Sequence, residues 1–461
     1  MDASWKIAVI GSGPAGFYAT GELFRQQSWD IKVDMFDRLP TPFGLVRGGV
    51  APDHQKIKSV IKIYNRIAEN PNFRFFGNVE FGNDIHQSDL LKYYDAIIYS
   101  VGSASDRVLG IPGEDLNGSH SATEFVGWYN GHPDFRDQVF DLSVKNAFVV
   151  GMGNVALDVA RILAKSPEEL AETDIADYAL EALRKSQIEN IWLVGRRGPV
   201  QAAFSPSEVR EFLELPEANV VVEGVSLELD AESRKILETE ASKDTKKNIE
   251  ILRQISQSQL PPKKKRIRFL FFASPIEILG NGKVEKIKMV RNQMVKQADG
   301  SLRSQATQNK MEEDAGLIFR SIGYLGKPLA NLPFDQKSGT IPNECGQVKD
   351  SANGNSLRNR EYVAGWIKRG PSGVIGSNKQ DSVETVHRML ETFLAEKIEP
   401  GQNVEFLDIV SLLESRSLDY VSFADWKLLD IFEVESGQAQ GRPRRKLTSI
   451  SEMLEIIRKK R

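Results

Sequence analysis

The feature that most constrains this chain is a pattern that occurs twice: a short apolar strand, a glycine turn, then a helix. The first copy is Ile7-Ala8-Val9-Ile10 followed by Gly11-Ser12-Gly13-Pro14-Ala15-Gly16, with helix-forming residues to about Gln27. A strand over residues 31–36 comes next, alternating in polarity and stopping at Asp37. The second copy is Ala147-Phe148-Val149-Val150, then Gly151-Met152-Gly153-Asn154-Val155-Ala156, with a helix through Leu163. Its companion strand, Ile191-Trp192-Leu193-Val194, ends at Gly195-Arg196-Arg197. Two such units predict an α/β fold with two Rossmann-like, doubly wound dinucleotide-binding domains.

Each glycine has a separate task. Gly11 permits the tight strand-to-helix turn, Gly13 lets the backbone approach a pyrophosphate, and Gly16 allows the helix to pack closely on the strand. The free N–H groups of the helix start then face the phosphates. Asp37 lies 21 residues after Gly16, at a strand end, where a carboxylate can accept from ribose hydroxyls. The second copy ends in Ala156, a variant with the same geometry, and offers Arg196-Arg197 where the first has an acid. An acid there would repel a 2′-phosphate, whereas a guanidinium grips it with two hydrogen bonds. The second site is therefore expected to prefer NADPH over NADH. The 45 residues from Gly151 to Arg196 are long for this motif, and an ordinary solvated arginine pair is the alternative.

Composition narrows the chemistry. The chain has 461 residues, 41% hydrophobic and 27% charged, enough apolar mass for more than one core. A net charge of −3 gives no reason to expect nucleic acid as a partner. Cys345 is the only cysteine, so an internal disulfide, a CxxC redox pair, an all-cysteine cluster and a cysteine-based zinc site are excluded. No metal site is expected, and any iron–sulfur cluster in the reaction should sit on another protein. No run of about 18 apolar residues could span a bilayer. The start, Met1-Asp2-Ala3-Ser4-Trp5, shows no leader pattern, so a cytoplasmic location is expected; a trimmed organellar form would read the same way. Residues 167–189 read as extra helix in the second crossover, and residues 228–259 as a charged surface insertion of helix. Lys263-Lys264-Lys265-Arg266 precedes a strand over residues 267–272, and short strands with glycine turns return after Ile318. A helix is expected from about Asp381 to Ala395. From about Val404 an amphipathic tail carries the basic segment Arg442-Pro443-Arg444-Arg445-Lys446.

Longer motifs carry a family resemblance. They are Asp37-Arg38-Leu39-Pro40-Thr41-Pro42-Phe43-Gly44-Leu45-Val46-Arg47, Gly49-Val50-Ala51-Pro52-Asp53-His54 and Phe125-Val126-Gly127-Trp128-Tyr129-Asn130-Gly131. Gly153-Asn154-Val155-Ala156-Leu157-Asp158-Val159-Ala160-Arg161, Val194-Gly195-Arg196-Arg197-Gly198-Pro199 and Val421-Ser422-Phe423-Ala424-Asp425-Trp426 belong with them. So does Gly365-Trp366-Ile367-Lys368-Arg369-Gly370-Pro371-Ser372-Gly373-Val374-Ile375. Over nearly its whole length the chain resembles the adrenodoxin reductase type of ferredoxin–NADP⁺ reductase.

The resemblance implies FAD at the first glycine turn and NADP(H) at the second. It implies an FAD domain of residues 1–107 and 331–461, with an NADP domain of residues 108–330 inserted. Beyond the glycines, FAD contacts are implied at Ala15, Asp37, Leu45, Phe81, Trp366, Gly373, Val374 and Ile375. NADP contacts are implied at Met152, Gly153, Asn154, Val155, Arg196, Arg197, Glu208 and again Gly373. The helix after Gly376 would aim its positive end at the flavin. Trp366 could pack on the flavin ring, with a plain core tryptophan as the alternative. His54 could support a water chain or tune the flavin, and a merely hydrogen-bonded histidine fits equally well. Asp158 and Glu211 invite similar suggestions. The implied function is electron transfer from NADPH through FAD to a ferredoxin-type iron–sulfur protein. An FAD/NADPH enzyme acting on a small organic substrate or oxygen, like a monooxygenase, is one alternative, and a nucleotide-sensing scaffold another. The partner contact is expected to be transient and electrostatic, with Lys243, Lys246, Lys247, Lys263–Arg266 and Arg210 as candidate cations, and the chain a monomer.

Overall fold

The computed structural model describes residues 4–223, 227, 229, 231–258, 261–350, 356–373, 375–401 and 408–461. Two sheets organise the chain. The first has the spatial order Asn343–Glu344, Gln347–Lys349, Leu357–Val363, Ala96–Tyr99, Trp5–Ile10, Ile31–Asp37, Phe73–Gly77. Its last five strands run parallel, and the first two form an antiparallel edge. Ala8, Val9, Ile97 and Ile98 are fully buried, as expected of parallel strands covered on both faces. Asp34 breaks the apolar run and is buried, but Arg74 (2.6 and 2.7 Å) and the Tyr94 hydroxyl (2.7 Å) satisfy it.

The second sheet is wholly parallel, in the order Ser119–Ser121, Leu317–Arg320, Asn146–Val150, Asn190–Val194, Lys265–Leu270, Ala218–Val222. Trp5–Ile10 lies between Ile31–Asp37 and Ala96–Tyr99, and Asn146–Val150 between Asn190–Val194 and Leu317–Arg320. In both sheets the strand before the glycine turn therefore sits where the strand order reverses. That switch point opens a crevice at the carboxyl ends of the strands. The fold is doubly wound α/β, twice over.

Chain path joins the lobes in one place. The connector leaving the first sheet and the one returning to it pair as a short antiparallel ribbon, Ser105–Asp106 against Tyr324–Leu325. The Arg107 N–H donates to the Gly323 carbonyl at 3.0 Å beside it.

Several elements differ from the sequence expectation. A three-stranded antiparallel sheet, Ala273–Leu279, Lys286–Lys296 and Leu302–Asp314, was not expected. Its outer strand is mostly exposed and polar, so it offers no buried alternation to read. Ile278, Val284, Ile287 and Met289 pack with Phe148, Val150 and Ile318 in one core. Residues 167–189 form two helices, Pro167–Ala171 and Asp177–Arg184. The stretch read as a surface insertion contains Ala231–Thr239 and Lys243–Gln257. The longer helix is no mere surface feature: Ile251, Leu252 and Ile255 are buried in the second lobe's core. The late helix starts at Ser377 rather than near Asp381. Among the described residues the C-terminal tail holds three helices, Ile409–Ser415, Phe423–Gln438 and Ile450–Lys460; its expected start at Val404 lies outside them.

The connector docks on the antiparallel sheet through Gly113, at φ +78°, where a Cβ would overlap the Ile278 carbonyl. Replacing Gly113 by Ala is expected to cost about 1–3 kcal/mol through backbone strain and crowding, read as a lowered urea midpoint.

Candidate functional site

The first turn is built by close backbone approach. Gly11 has φ +101°, and a Cβ there would come within 2.6 Å of the Ser100 carbonyl oxygen on the neighbouring strand end. A Cβ on Gly16 would run into the Gly11 carbonyl. Gly13 is different: nothing lies within 4 Å of where its Cβ would be. The helix Pro14–Leu23 that it opens has no side-chain cap among the described residues. Asp37 holds the turn from behind, accepting from the Ser12 N–H (2.9 Å) and hydroxyl (2.5 Å) and from the Leu39 N–H (2.9 Å).

Around this opening stand the other residues assigned to FAD. Phe43 donates its N–H to the Ser12 carbonyl at 3.0 Å, and Gly44 follows at φ +48°. A Cβ on Gly44 would sit 2.9 Å from Gly13 Cα. Leu45 is 46% exposed, an apolar side chain left open beside the turn. Ala15 is buried, and its carbonyl accepts from the Ser382 hydroxyl at 3.0 Å. Phe81 is set back, edge-on to Tyr99 at 5.3 Å.

Trp366 begins a short helix, Trp366–Arg369, and stacks on Tyr324 with centroids 5.6 Å apart. Its indole Nε1 is buried without a partner among the described residues. Gly373 is exposed at φ +79°, and Ile375 packs against the first lobe's core. Val374 lies outside the described residues. Open space at Gly13, exposed Leu45 and the orphaned indole N–H together fit a bound dinucleotide.

The second turn repeats the construction. A Cβ on Gly151, at φ +149°, would overlap the Ser321 carbonyl, while Gly153 has nothing within 4 Å. The helix Asn154–Ala164 again lacks a side-chain cap among the described residues. The loop after Arg197 folds back on it: the Ala203 N–H donates to the Met152 carbonyl and the Ser205 N–H to Asn154 Oδ1, both at 2.8 Å. Val155 packs against the second core. Arg196 and Arg197 are exposed, and neither guanidinium forms an ion pair with a described residue. Arg197 nevertheless sits below the ordinary arginine value, because part of its guanidinium is shielded from water and Arg196 stands beside it. An unpaired arginine pair at the strand end fits a 2′-phosphate.

Where the lobes meet, charge is concentrated around a residue that sequence analysis passed over. Arg161 is fully buried and touches four carboxylates: Asp53 (2.8 and 3.0 Å), Asp158 (2.7 Å), Glu211 (3.2 Å) and Glu208 (3.4 Å). His54 lies among them, its Nε2 at 3.0 Å from Glu211 and 3.7 Å from Glu208, its Nδ1 at 3.8 Å from Asp158. The structure thus brings His54, Asp158, Glu208 and Glu211 together. Asp53 and His54 come from the first lobe and the rest from the second. The sequence hint for Arg161 is that it follows Asp158 by three residues on a largely apolar helix, a spacing that serves a solvent-exposed ion pair as well as a buried one.

The cluster divides its protons unevenly. Burial alone would raise the Asp53 carboxyl, but Arg161 holds it well below the usual carboxylate range. Burial pushes Glu208 up to about 7, with Asp158 adding to the rise. Burial raises Asp158 as well. Burial opposes the His54 imidazolium, yet the Glu211 hydrogen bond and the charges of Asp158 and Glu208 outweigh it and raise the group. A carboxyl whose folded value is raised keeps a proton that the unfolded chain has released, so stability falls as pH rises between the two values. The ordinary value for Glu208 is 4.5. Melting temperature is therefore expected to drop from about pH 5 to about pH 8, Glu208 accounting for about 1–3 kcal/mol. Glu208→Gln should flatten that slope, as differential scanning fluorimetry across the range would show. Asp53 is lowered and acts with opposite sign, but below this window.

The proposed docking cations separate into two groups. Arg210, Lys243, Lys246 and Lys247 are exposed and form no ion pair with a described residue. The run Lys263–Arg266 is partly committed elsewhere: Lys263 Nζ donates to the Leu215 carbonyl and Lys265 Nζ to the Leu163 carbonyl, at 2.6 and 2.7 Å. Lys265 thereby caps the carbonyl end of the helix Asn154–Ala164. No helix among the described residues is long and apolar enough to cross a membrane.

Comparison with known proteins agrees with this geometry. The sequence profile described as pyridine nucleotide-disulphide oxidoreductase matches residues 5–193. Over 98% of both chains, the protein is 46% identical to the NADPH-ferredoxin reductase FprA of Mycobacterium leprae. It is 37% identical to the mitochondrial NADPH:adrenodoxin oxidoreductase of Salvelinus fontinalis, across 99% of this chain and 92% of that one. It superposes on Mycobacterium tuberculosis FprA in complex with NADPH at a TM-score of 0.91, with 45% identity, covering 98% of this chain and 99% of the other. Matched end to end at this identity, the chain belongs to the family of NADPH-ferredoxin and NADPH:adrenodoxin reductases.

Proposed function

We propose that the protein is an NADPH–ferredoxin reductase, a flavoprotein that passes electrons from NADPH through FAD to a ferredoxin- or adrenodoxin-type iron–sulfur protein. The observation that carries this is the pair of glycine turns of one build, each open at its second glycine, in a chain alike from end to end to proteins of that name. Bound FAD would supply the conversion of a two-electron donor into one-electron deliveries.

The chain's own residues bind and orient. The helix Pro14–Leu23 offers N–H groups to the flavin nucleotide's pyrophosphate, and Asp37 is the acceptor for its ribose. Ala15, Leu45, Phe81, Trp366, Gly373 and Ile375 line that nucleotide. Met152, Gly153, Asn154 and Val155 hold the NADPH pyrophosphate, Arg196 and Arg197 its 2′-phosphate, and Glu208 contacts the nicotinamide side. FAD is assigned to residues 1–107 and 331–461 and NADPH to residues 108–330. Hydride transfer needs no general base, so His54 and Asp158 serve by holding charge and a proton where the lobes join. Arg210, Lys243, Lys246 and Lys247 steer an acidic partner into a transient complex, strongest at low salt. The chain works as a cytoplasmic monomer.

A reconstitution tests the reading. Purified yellow protein with NADPH should reduce cytochrome c only when a ferredoxin is added, and the rate should fall as salt is raised. Reduction indifferent to ferredoxin would remove this class of partner. Replacing Arg196 and Arg197 together by Ala should weaken NADPH by about 1.5–3 kcal/mol per charged hydrogen bond lost, leaving the KM for NADH unchanged. Equal losses for both nucleotides would remove the 2′-phosphate role.

A further inference from the structure

The loop beside the first glycine turn contains little regular structure. Leu45–Gly48 is a helix of four residues, and a single turn is unstable unless something outside holds it. The loop must nevertheless stay fixed, because Gly44 lies against Gly13. Phe43 and Val46 bury in the first lobe's core, and the loop's polar side is held from the far end of the chain. Arg47 forms two parallel hydrogen bonds to Glu433, at 2.5 and 2.8 Å, and its guanidinium lies 5.2 Å from the centroid of the Trp426 ring. Its backbone carbonyl accepts from Lys446 Nζ at 3.2 Å.

Both partners are themselves locked. The Glu433 side chain is fully buried and also accepts from Arg444 (2.9 Å) and the Leu447 N–H (2.8 Å). Lys446, also buried, donates to the Asn130 carbonyl at 3.1 Å and stands 3.4 Å from Asp174. Asp174 in turn holds buried Lys58 at 2.6 Å. Nearby, Arg442 donates to the Thr173 and Ile175 carbonyls and pairs with Asp177. Residues 442–447 thus form a strap anchored on the second lobe, and they grip the loop of the first.

Buried ion pairs are poor devices for stability alone, since apolar packing of the same volume does as well or better. They are good devices for fixing one geometry, because a charge moved out of register is left unpaired in a dry site. We propose that Glu433 and Lys446 are positioning residues for the flavin-binding loop, acting across 386 and 399 residues of sequence, so that retention of FAD depends on the docked C-terminal strap. Neither residue needs to touch the nucleotide. The proposal rests on the assignment of FAD to the first turn.

The test is FAD release from the holoenzyme, followed by recovery of free-flavin fluorescence after dilution, beside the affinity for 2′,5′-ADP at the second turn. Glu433→Gln and Lys446→Met should each release FAD about tenfold faster than the parent, with 2′,5′-ADP binding changed by less than about twofold. Arg445→Ala, in the same strap but paired through its side chain, among the described residues, only to Asp177, should release FAD at the parental rate. A purely structural role would weaken both nucleotides together. Parental FAD release in folded Glu433→Gln and Lys446→Met, or equal loss at both turns, would overturn the proposal. If Glu433→Gln does not fold, Arg47→Lys keeps the charge and removes the paired geometry; faster release supports the proposal and an unchanged rate overturns it. A parent protein that is colourless and takes up no added FAD would withdraw the assigned function, and the proposal with it.

Discussion

Arg161 sets the terms for the rest of the molecule. A guanidinium with no exposure to water survives only if its charge is matched and its N–H groups are used. Here the matching carboxylates come from both lobes, Asp53 on one side and Asp158, Glu208 and Glu211 on the other. The arginine is thus also a fastening, since separating the lobes would strand it in a dry site. The ribbon of Ser105–Asp106 with Tyr324–Leu325 and the strap of residues 442–447 join the lobes as well, but neither gathers as many charges in one place.

The turns depend on a second constraint, contact between backbone and backbone. Gly11 against Ser100 and Gly151 against Ser321 bring adjacent strand ends closer than any side chain permits. What remains open is the volume in front of Gly13 and Gly153. Crowding behind the turn and space before it are one design: the helix start is pushed toward the crevice, with its N–H groups leading.

Much of this was legible in the sequence because glycine spacing and apolar runs are local signals. Both turns, their strands and Asp37 fall where the motifs put them. What escaped was set by contacts between distant segments. In the sequence Arg161 stands only inside a longer motif and Lys265 in a basic run; the first is the centre of a buried cluster and the second a cap on a helix end. Leu302–Asp314 hides as a strand because its side chains face water on both sides. Tyr324 has no motif, and only the folded chain shows it stacked on Trp366. Asp158 and His54 were singled out separately, and nothing in their spacing shows that they share neighbours.

The ribbon of Ser105–Asp106 with Tyr324–Leu325 bears on how the protein comes into being on the ribosome. All strands of the second sheet lie within residues 119–320, whereas the first sheet waits for Leu357–Val363 to complete its parallel core. The later lobe in sequence can therefore finish before the earlier one. Until then the growing chain holds Ala96–Tyr99 as an unpaired edge, a state in which nascent strands are most open to misassociation. Closure of the ribbon returns the chain to the first sheet, and the edge is covered once Leu357–Val363 follows.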